Sequence, residues 1–493
     1  MNAQVKRLMF VVLVMVLAVM VSTTATQFFA AADLTADSRN TRTIYNAQGK
    51  PRGPIIVSGT PIASSTPLPS QGTNKRYQRS YMASDGMYSQ LTGFYSLQGQ
   101  SQGLEQTENE VLLGQAPSQL MDRLTQMVKG TEESGGAIEL TIDPAVQQAA
   151  WQALGGRRGA AVAIDPKTGA ILAAVSSPSY DPNALATLDQ SHATQAMEAY
   201  QKDPARPMDN RAFGGHRYAP GSAFKLITAA AMLSSGQYTP DTTVQAPVTI
   251  QLPQTERTLS NIDHSTCAGG HPPLRIAFAL SCNTPFAQAG MNLGQDQMQK
   301  MAEAFGFNKS FTMPLAVTES IYPQLEGDNA DVMAPPQLAY SAIGQYNVQV
   351  TPMQMAMVAQ TIANDGVRMQ PYLVARELDS QLNPTSTTAP KRVGEPISAS
   401  VANQLTDMMV AVVNQGTGTQ ARIKDVQVAG KTGTAEVGDS GRADGWFVGF
   451  APADDPKIAF AVVVEGDQNG VRSLHGADVA PIARDMILAR LNH

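Results

Sequence analysis

The sequence predicts an α/β or α+β domain at residues 138–493, preceded by a membrane anchor and a smaller accessory domain. Three observations lead to this division. An uncharged apolar run lies near the N-terminus, a largely polar stretch with scattered aromatic residues follows it, and short apolar runs and helical patterns begin near residue 138. A chain of 493 residues also exceeds the usual size of one domain, so two or three domains are expected.

The N-terminal segment has the length and composition of a membrane-spanning helix. Lys6 and Arg7 precede it, and the next charged residue is Asp33. We assign a cytoplasmic tail to residues 1–7 and the anchor to residues 8–29, because roughly 22 residues rising ~1.5 Å each cross a bilayer. Positive charge on the N-terminal side predicts that the remainder is extracytoplasmic. The alternative is a signal peptide cleaved near residues 30–32.

Residues 33–135 form the predicted accessory domain. Residues 59–74 are rich in Ser, Thr, Pro and Gly, which is typical of a loop. Residues 75–130 contain scattered aromatic residues and one helical pattern at 118–128. The stretch has few long apolar runs, so we expect a modest core here.

The region from residue 138 carries strand patterns at both ends and helical patterns between them, with irregular β structure at 241–259. Strands separated by helices are typical of α/β and α+β domains. Strands are predicted at 160–164, 170–175, 426–435, 446–451 and 458–465. Helices are predicted at 222–233, 274–289, 296–305, 353–364 and 477–491.

The composition argues against several classes of function. The net charge is −6 and no Lys/Arg block is present, so a nucleic-acid partner is not expected. The two cysteines form no C-x-x-C pair, and the six histidines are scattered without an H-E-x-x-H pattern. We therefore expect no metal site and no cofactor.

The first candidate for chemistry is the pair Ser222 and Lys225. Residues three apart share a helix face, which brings the amine within reach of the hydroxyl. A serine hydroxyl needs a base to act as a nucleophile, and a lysine can be that base when burial and nearby cations lower its pKa. S-x-x-K is a weak pattern by itself, and a helix-capping role for Ser222 is the alternative.

Two further motifs follow in order. Ser281 and Asn283 form an S-x-N pattern in which a hydroxyl can relay a proton and an amide can bind a lysine or a substrate. Residues 431–434 (KTGT) lie at the end of a predicted strand, where an ammonium suits a substrate carboxylate and the glycine allows close approach to the backbone. A phosphate-binding loop is excluded, because its pattern requires glycine where this chain has Asp425.

S-x-x-K, S-x-N and K-T-G in this order resemble the signature of penicillin-binding proteins and related β-lactamases. The resemblance extends to class B penicillin-binding proteins, the monofunctional transpeptidases, and is greatest to the actinobacterial penicillin-binding protein A type. It covers nearly the whole chain. The segments that carry it are 218–225 (YAPGSAFK), 281–284 (SCNT), 431–435 (KTGTA), 446–452 (WFVGFAP), 342–347 (AIGQYN), 351–354 (TPMQ), 37–42 (DSRNTR), 52–55 (RGPI), 91–93 (LTG) and 103–105 (GLE).

This resemblance implies a serine β-lactamase-like transpeptidase fold, with an antiparallel sheet flanked by helices, and a dimerisation-like accessory domain. It implies that Ser222 attacks the D-Ala-D-Ala end of a peptidoglycan stem peptide and that Lys225 takes its proton. Ser281 and Asn283 are implied to shape the proton path and bind the donor peptide.

The resemblance assigns substrate binding to Lys431, Thr432, Gly433 and Thr434. The backbone N–H groups of Ser222 and Thr434 are implied to form the oxyanion hole, and β-lactams to inhibit by acylation. It further implies a single-pass plasma-membrane protein with an extracytoplasmic catalytic domain that acts in cell-wall growth and division. No glycosyltransferase-like module precedes residue 138, so a separate membrane glycosyltransferase or division complex is the implied partner.

Three other functions remain open at this level. A D,D-carboxypeptidase or β-lactamase would pass the acyl group to water, a β-lactam-sensing receptor would need further membrane spans, and a non-catalytic division scaffold would not need the intact motifs. Cys267 and Cys282 form a candidate disulfide, because an exported chain with two cysteines 15 residues apart favours pairing. Two separate thiols are the alternative.

Overall fold

The computed structural model describes residues 3–29, 50–69, 76–82, 85–96, 101–130, 134–311, 313–323, 333–438, 441–466 and 473–492. The α-helices are α1 Ala3–Thr24, α2 Ser89–Thr92, α3 Leu104–Thr107, α4 Asn109–Leu112, α5 Leu120–Lys129, α6 Pro144–Leu154, α7 Asn183–Ala186, α8 Gln190–Lys202, α9 Lys225–Ser234, α10 Leu274–Ala279, α11 Thr284–Leu293, α12 Gln295–Ala304, α13 Pro335–Ser341, α14 Pro352–Ala363, α15 Ala399–Gln415 and α16 Gly476–Leu491. A π-helical turn follows α1 at Ala25–Phe29, and 3₁₀ turns occupy Pro117–Gln119, Gly221–Phe224, Ile262–His264, Cys267–Gly270 and Thr419–Ala421.

The strands form two large sheets and two small two-stranded sheets. The strands are β1 Ile55–Val57, β2 Thr60–Pro67, β3 Tyr77–Tyr81, β4 Ala137–Leu140, β5 Gly159–Ile164, β6 Ile171–Ser177, β7 Thr249–Gln251, β8 Thr258–Ser260, β9 Arg368–Met369, β10 Val374–Leu378, β11 Pro384–Thr387, β12 Arg392–Gly394, β13 Ala429–Val437, β14 Arg442–Ala451 and β15 Ile458–Val464.

The larger C-terminal unit is built on a five-stranded sheet in the order β13-β14-β15-β5-β6, antiparallel at every pairing. Its central strand β15 is apolar at every position, because both faces are covered. Ala459, Ala461 and Val463 join one hydrophobic cluster, and the alternating residues Phe460 and Val462 join the other. Side chains alternate across a strand, so two helical layers flank the sheet. Helices α6 and α16 pack on one face and α14 on the other.

These elements agree with the predicted antiparallel sheet flanked by helices. The predicted strands and the terminal helix occur within a few residues of their expected bounds. Three predictions of local structure need correction. Residues 59–74, predicted as a loop, contain strand β2, Thr60–Pro67. The predicted helix 274–289 is two helices, α10 and α11, separated by Ser281 with φ of 58°. The predicted helix from Ser222 begins as the 3₁₀ turn Gly221–Phe224, and the α-helix starts at Lys225.

The N-terminal sheet has the order β11-β10-β4-β1-β2-β3. Strands β1 and β4 are parallel, and the other pairings are antiparallel. Four of its strands lie before residue 141, but β10 and β11 come from residues 374–387. The sheet therefore joins two stretches of the chain that the predicted division at 135–138 assigns to different domains.

Helix α1, Ala3–Thr24, overlaps the predicted anchor at residues 8–29 but begins inside the predicted cytoplasmic tail. The segment Gln4–Gln27 is long and apolar enough to cross a membrane, with mean hydropathy 2.6 and no burial against the rest of the protein. It is the one such helix in the described part of the chain.

Candidate active site

The predicted nucleophile lies in a tight turn held from two sides. Gly221 has φ of +52°, and a Cβ atom there would lie 2.3 Å from the carbonyl oxygen of Thr434. Its backbone N–H donates to the carbonyl of Gly344 at 3.0 Å. Only glycine fits this conformation and this close approach, which explains the Pro-Gly that precedes Ser222. The turn thus fixes Ser222 directly against strand β13.

Lys225 is the first residue of α9, one turn after Ser222. Its side chain is fully buried. The amine Nζ donates to the carbonyl oxygen of Ser281 at 2.7 Å and to Oδ1 of Asn283 at 2.8 Å. The S-x-x-K and S-x-N motifs are therefore in direct contact through this lysine.

Ser281 occupies the break between α10 and α11. Its left-handed backbone ends α10, and this turns the carbonyl of Ser281 toward Lys225. Asn261 holds the far side of the break, because its Oδ1 accepts from the backbone N–H of Asn283 at 2.9 Å and of Thr284 at 3.0 Å. The Asn283 amide also donates to the carbonyl of Ser260 at 3.0 Å. A continuous helix could not present Ser281 and Asn283 to the same amine.

Lys431 is also fully buried. Its Nζ donates to Oγ of Ser281 at 2.8 Å and to the carbonyl of Thr432 at 2.9 Å. The sequence predicted that this ammonium holds a substrate carboxylate, but in the structure it faces Ser281. The two lysines therefore approach the same serine, one at its carbonyl and one at its hydroxyl.

The electrostatics follow from two amines buried side by side. Burial and then the repulsion from Lys431 hold the pKa of Lys225 well below its ordinary value. Burial lowers the pKa of Lys431 to about 7. Among the described residues, no carboxylate lies within salt-bridge distance of either amine. A neutral lysine beside a serine hydroxyl can serve as a general base.

The KTGT segment lies in the middle of β13, and not at the end of a strand as predicted. Strand β13 is the edge of its sheet, so every second N–H points away from β14. A Cβ on Gly433 would lie 3.1 Å from the backbone nitrogen of Ala223, so the strand and the nucleophile turn are in contact. This is the arrangement in which N–H groups from both elements can meet one oxygen.

Two hydroxyls line the same strand. The Thr432 hydroxyl is hydrogen-bonded to that of Thr417. The hydroxyl of Thr434 lies 3.3 Å from Nδ1 of His475. The sequence analysis did not single out Thr417, His475 or Asn261, because each comes from a segment that no local pattern connects to the motifs.

Cys267 and Cys282 form a disulfide in the structure, with Cα atoms 6.0 Å apart. Cys282 lies between Ser281 and Asn283 in the chain, so the bond ties the helix break to the 3₁₀ turn Cys267–Gly270. This connection adds a covalent support to the hydrogen bonds of Asn261.

Comparison with known protein families identifies the family of the chain. Residues 159–488 match the penicillin binding protein transpeptidase domain. The chain belongs to this family. Residues 52–138 match the penicillin binding protein A dimerisation domain. The two matches correspond closely to the larger C-terminal unit and to the four N-terminal strands of the other sheet.

Relatives extend this membership to the full length. The chain is 41% identical to the peptidoglycan D,D-transpeptidase PbpA of Mycolicibacterium smegmatis, over 100% of this chain and 99% of the relative. A crystal structure of PBPA from Mycobacterium tuberculosis, 38% identical, matches with a TM-score of 0.81 over 90% of this chain and 100% of that chain. The penicillin G acyl-enzyme complex of the same protein matches with a TM-score of 0.82 over the same shares. The family fold predicted from the motifs is confirmed.

Proposed function

We propose that this chain is a peptidoglycan D,D-transpeptidase, a class B penicillin-binding protein that cross-links stem peptides and is inhibited by β-lactams. The observation that carries the proposal is the buried pair of lysine amines around Ser281, next to the nucleophile turn. Family membership supports it, since relatives of the same length bear that name. The observed β-lactam acyl-enzymes of a similar structure support acylation of the serine.

In the proposed mechanism, the neutral amine of Lys225 takes the proton of the Ser222 hydroxyl as Oγ attacks the penultimate D-Ala carbonyl carbon. The tetrahedral oxyanion accepts hydrogen bonds from the backbone N–H groups of Ser222 and Thr434. A proton passes from Lys225 through the Ser281 hydroxyl to the leaving nitrogen, and the C–N bond breaks. D-Ala departs, and Ser222 keeps the acyl group as an ester.

The second half reverses these roles. An amine of a neighbouring stem peptide attacks the ester carbonyl, its proton returns through Ser281 and Lys225, and Ser222 leaves as a hydroxyl. Asn283 keeps Lys225 in place and Lys431 orients the Ser281 hydroxyl. Because Lys431 faces Ser281, we assign the terminal carboxylate of the substrate to the hydroxyls of Thr432 and Thr434. Lys431 attracts this carboxylate through its charge without a direct hydrogen bond.

The proposal favours an amine over water as the acceptor. Rapid hydrolysis needs a second base that holds a water against the ester, a glutamate in class A β-lactamases. In the described ranges, no carboxylate is hydrogen-bonded to Ser222, Lys225, Ser281 or Lys431. Two acidic residues between the S-x-N and K-T-G motifs are candidates for such a base. Glu319 is exposed, and Asp331 lies outside the described residues. We therefore expect the penicillin ester to persist.

Mass spectrometry of the full-length protein after penicillin treatment tests this function. The expected result is one stable adduct on the peptide that contains Ser222, absent in Ser222→Ala. Ser191→Ala, at an exposed position of α8, is the matched control and should be labelled like the wild type. Fast turnover of penicillin by the wild-type protein would instead identify a β-lactamase.

Location and partners complete the proposal. We propose that α1 remains in the plasma membrane as the single span, with the catalytic region extracytoplasmic, and that a membrane glycosyltransferase of the elongation or division machinery supplies the glycan strands. The mean hydropathy of the segment around α1 supports the membrane span. Activity of a C-terminal fusion to a reporter that functions only in the cytoplasm would contradict this topology.

A further inference from the structure

Helix α5, Leu120–Lys129, is amphipathic in the reverse sense to an ordinary surface helix. Its apolar side chains point outward and are between 46% and 89% exposed. At about 100° per residue, these side chains fall within an arc of roughly 120°. They are Leu120, Met121, Leu124, Met127 and Val128. We call this set the α5 apolar face.

The inward side of the same helix is polar. Gln126 donates to Oγ of Ser380 at 2.8 Å, and Asp122 accepts from the backbone N–H of Ser380 at 3.1 Å. Just before the helix, Gln119 donates to the carbonyl of Leu378 at 3.2 Å. These contacts attach α5 to the N-terminal sheet by hydrogen bonds and leave the apolar face in water. Exposed apolar clusters of this kind mark interaction surfaces.

The position of α5 indicates what covers that face. Chain leaving the anchor helix α1 returns to the described fold at residues 50–51, where the carbonyl of Pro51 accepts from the backbone N–H of Gly135 at 3.0 Å. Gly135 is five residues after Gly130, the C-cap of α5, and five residues span at most about 18 Å. The α5 apolar face therefore lies close to the point where the tether from the membrane enters the fold.

Charge and size favour lipid over a second protein surface. The acidic residue of α5, Asp122, is turned inward, while Arg123 borders the apolar face and Lys129 is exposed at the last position of the helix. A helix of this length is about 15 Å by 10 Å, so one face offers on the order of 150–300 Å². A standard protein–protein interface uses roughly 800 Å² from each partner. Amphipathic helices with basic flanks bind the headgroup region of membranes with such small apolar faces.

We propose that α5 lies on the extracytoplasmic leaflet of the membrane that holds α1, with its apolar face among the lipid headgroups. The inference rests on the proposed anchoring by α1. Together, anchor and helix give the protein two points of contact with one membrane. This fixes the orientation of the N-terminal sheet relative to the bilayer, which a tether alone cannot do.

A fluorescent probe on α5 tests the inference in the full-length chain. Leu124→Cys is labelled with an environment-sensitive dye and the protein is reconstituted into vesicles of phosphatidylethanolamine and phosphatidylglycerol. Asp454→Cys, in the exposed turn between β14 and β15, is the matched control. Acylation by penicillin verifies that both labelled proteins are folded. We expect blue-shifted emission at 124 and several-fold stronger quenching by lipids with brominated acyl chains than at 454.

Each other outcome overturns the inference in a distinguishable way. If the protein floats with the vesicles but the probe at 124 emits as it does in water, the anchor is in the membrane and α5 is not. A shielded probe that brominated lipids do not quench, with cross-linked dimers through unlabelled Leu124→Cys, identifies a second copy of this chain instead. Failure of the protein to float with vesicles refutes the anchoring proposal, and the α5 inference falls with it.

Discussion

Two groups of charged residues are buried in this protein, and they are built in opposite ways. Beside the N-terminal sheet, Glu105 of α3 accepts from Nε of Arg52 at 2.9 Å and of Arg79 at 2.6 Å, and from the Tyr81 hydroxyl at 3.0 Å. In the active site, Lys225 and Lys431 face one serine, and no carboxylate of the described residues forms an ion pair with either amine.

The two groups differ in their ionisation. Burial alone raises the pKa of Glu105, but attraction to Arg79 and Arg52 outweighs it, and the pKa lies below its ordinary value. The Glu105 cluster therefore stays charged and holds α3 against β3 and against the segment that leads into β1. In the lysine pair, burial lowers both pKa values and repulsion adds to the effect on Lys225. The paired charges of the Glu105 cluster stabilise the fold, whereas the lowered pKa values of the lysine pair make a neutral amine available as a base.

The largest expected effect comes from removing the base. Lys225→Met should lower the rate of acylation by penicillin by about 10²–10⁴-fold, the usual contribution of a general base. Stability should hold or rise, because the variant no longer buries an unpaired amine. Acylation by a fluorescent penicillin and the apparent melting temperature in detergent measure the two effects. Acylation within about tenfold of wild type would show that another group is the base.

The opposite result is expected at the Glu105 cluster. Glu105→Gln leaves two buried guanidinium groups without their anion, and breaking a buried pair costs about 3–5 kcal/mol in the free energy of unfolding. The folded fraction should still be acylated at the normal rate. Denaturant unfolding measures the loss, and Glu198→Gln in the exposed Lys202 pair is the control. A loss as small as that of the control would contradict the structural role.

The disulfide between Cys267 and Cys282 supports Ser281 and Asn283 by a covalent bond, and no such bond supports the Glu105 cluster. Replacing Cys267 and Cys282 by alanine should lower the free energy of unfolding by ~3 kcal/mol, according to the chain-entropy model for a loop of about 15 residues. Acylation should also slow, since Ser281 and Asn283 flank Cys282. Unfolding and acylation assays measure both effects. Thiol labelling of unreduced, denatured wild type provides the check, and full labelling of both cysteines would rule out the bond.

The smallest effect concerns the coupling of the two lysines. Lys431→Met removes the repulsion that helps to lower the pKa of Lys225, so that pKa should rise and more alkaline solution is needed to keep the base neutral. The acid limb of the pH–acylation profile should therefore move to higher pH. Loss of the hydrogen bond to Ser281 should also raise the activation free energy of acylation by ~1.5–3 kcal/mol. An acid limb that does not move would mean that the lysines titrate independently.

The sequence predicted the sheet of the larger unit and the identity of its motifs. Strands such as β15 are apolar at every position and lie between turn residues, so local pattern suffices to find them. Membership of the family was predicted from three short motifs and is confirmed by the match over residues 159–488. The proposed roles of the site residues stay predictions until the variants are measured.

Other features depend on contacts that local pattern does not encode. The apolar periodicity runs through Ser281, and only its surroundings, Lys225 and Asn261 included, explain the break between α10 and α11. The contact of Lys431 with the Ser281 hydroxyl also joins residues 150 positions apart, which no local pattern predicts. Likewise, no pattern near residues 374–387 indicates that β10 pairs with β4, because the partner strand lies far away in the sequence.

That last pairing has a consequence for how the molecule is made. Glu377 is opposite Ile138 in the sheet, a separation of 239 residues (377 − 138). A ribosome delivers the N-terminal strands early, yet their sheet cannot gain its β10–β11 edge until most of the chain has been synthesised. The N-terminal sheet therefore begins with the strands that are synthesised first but is completed late. Until then, the open edge of β4 is where the nascent chain is most in need of protection by chaperones.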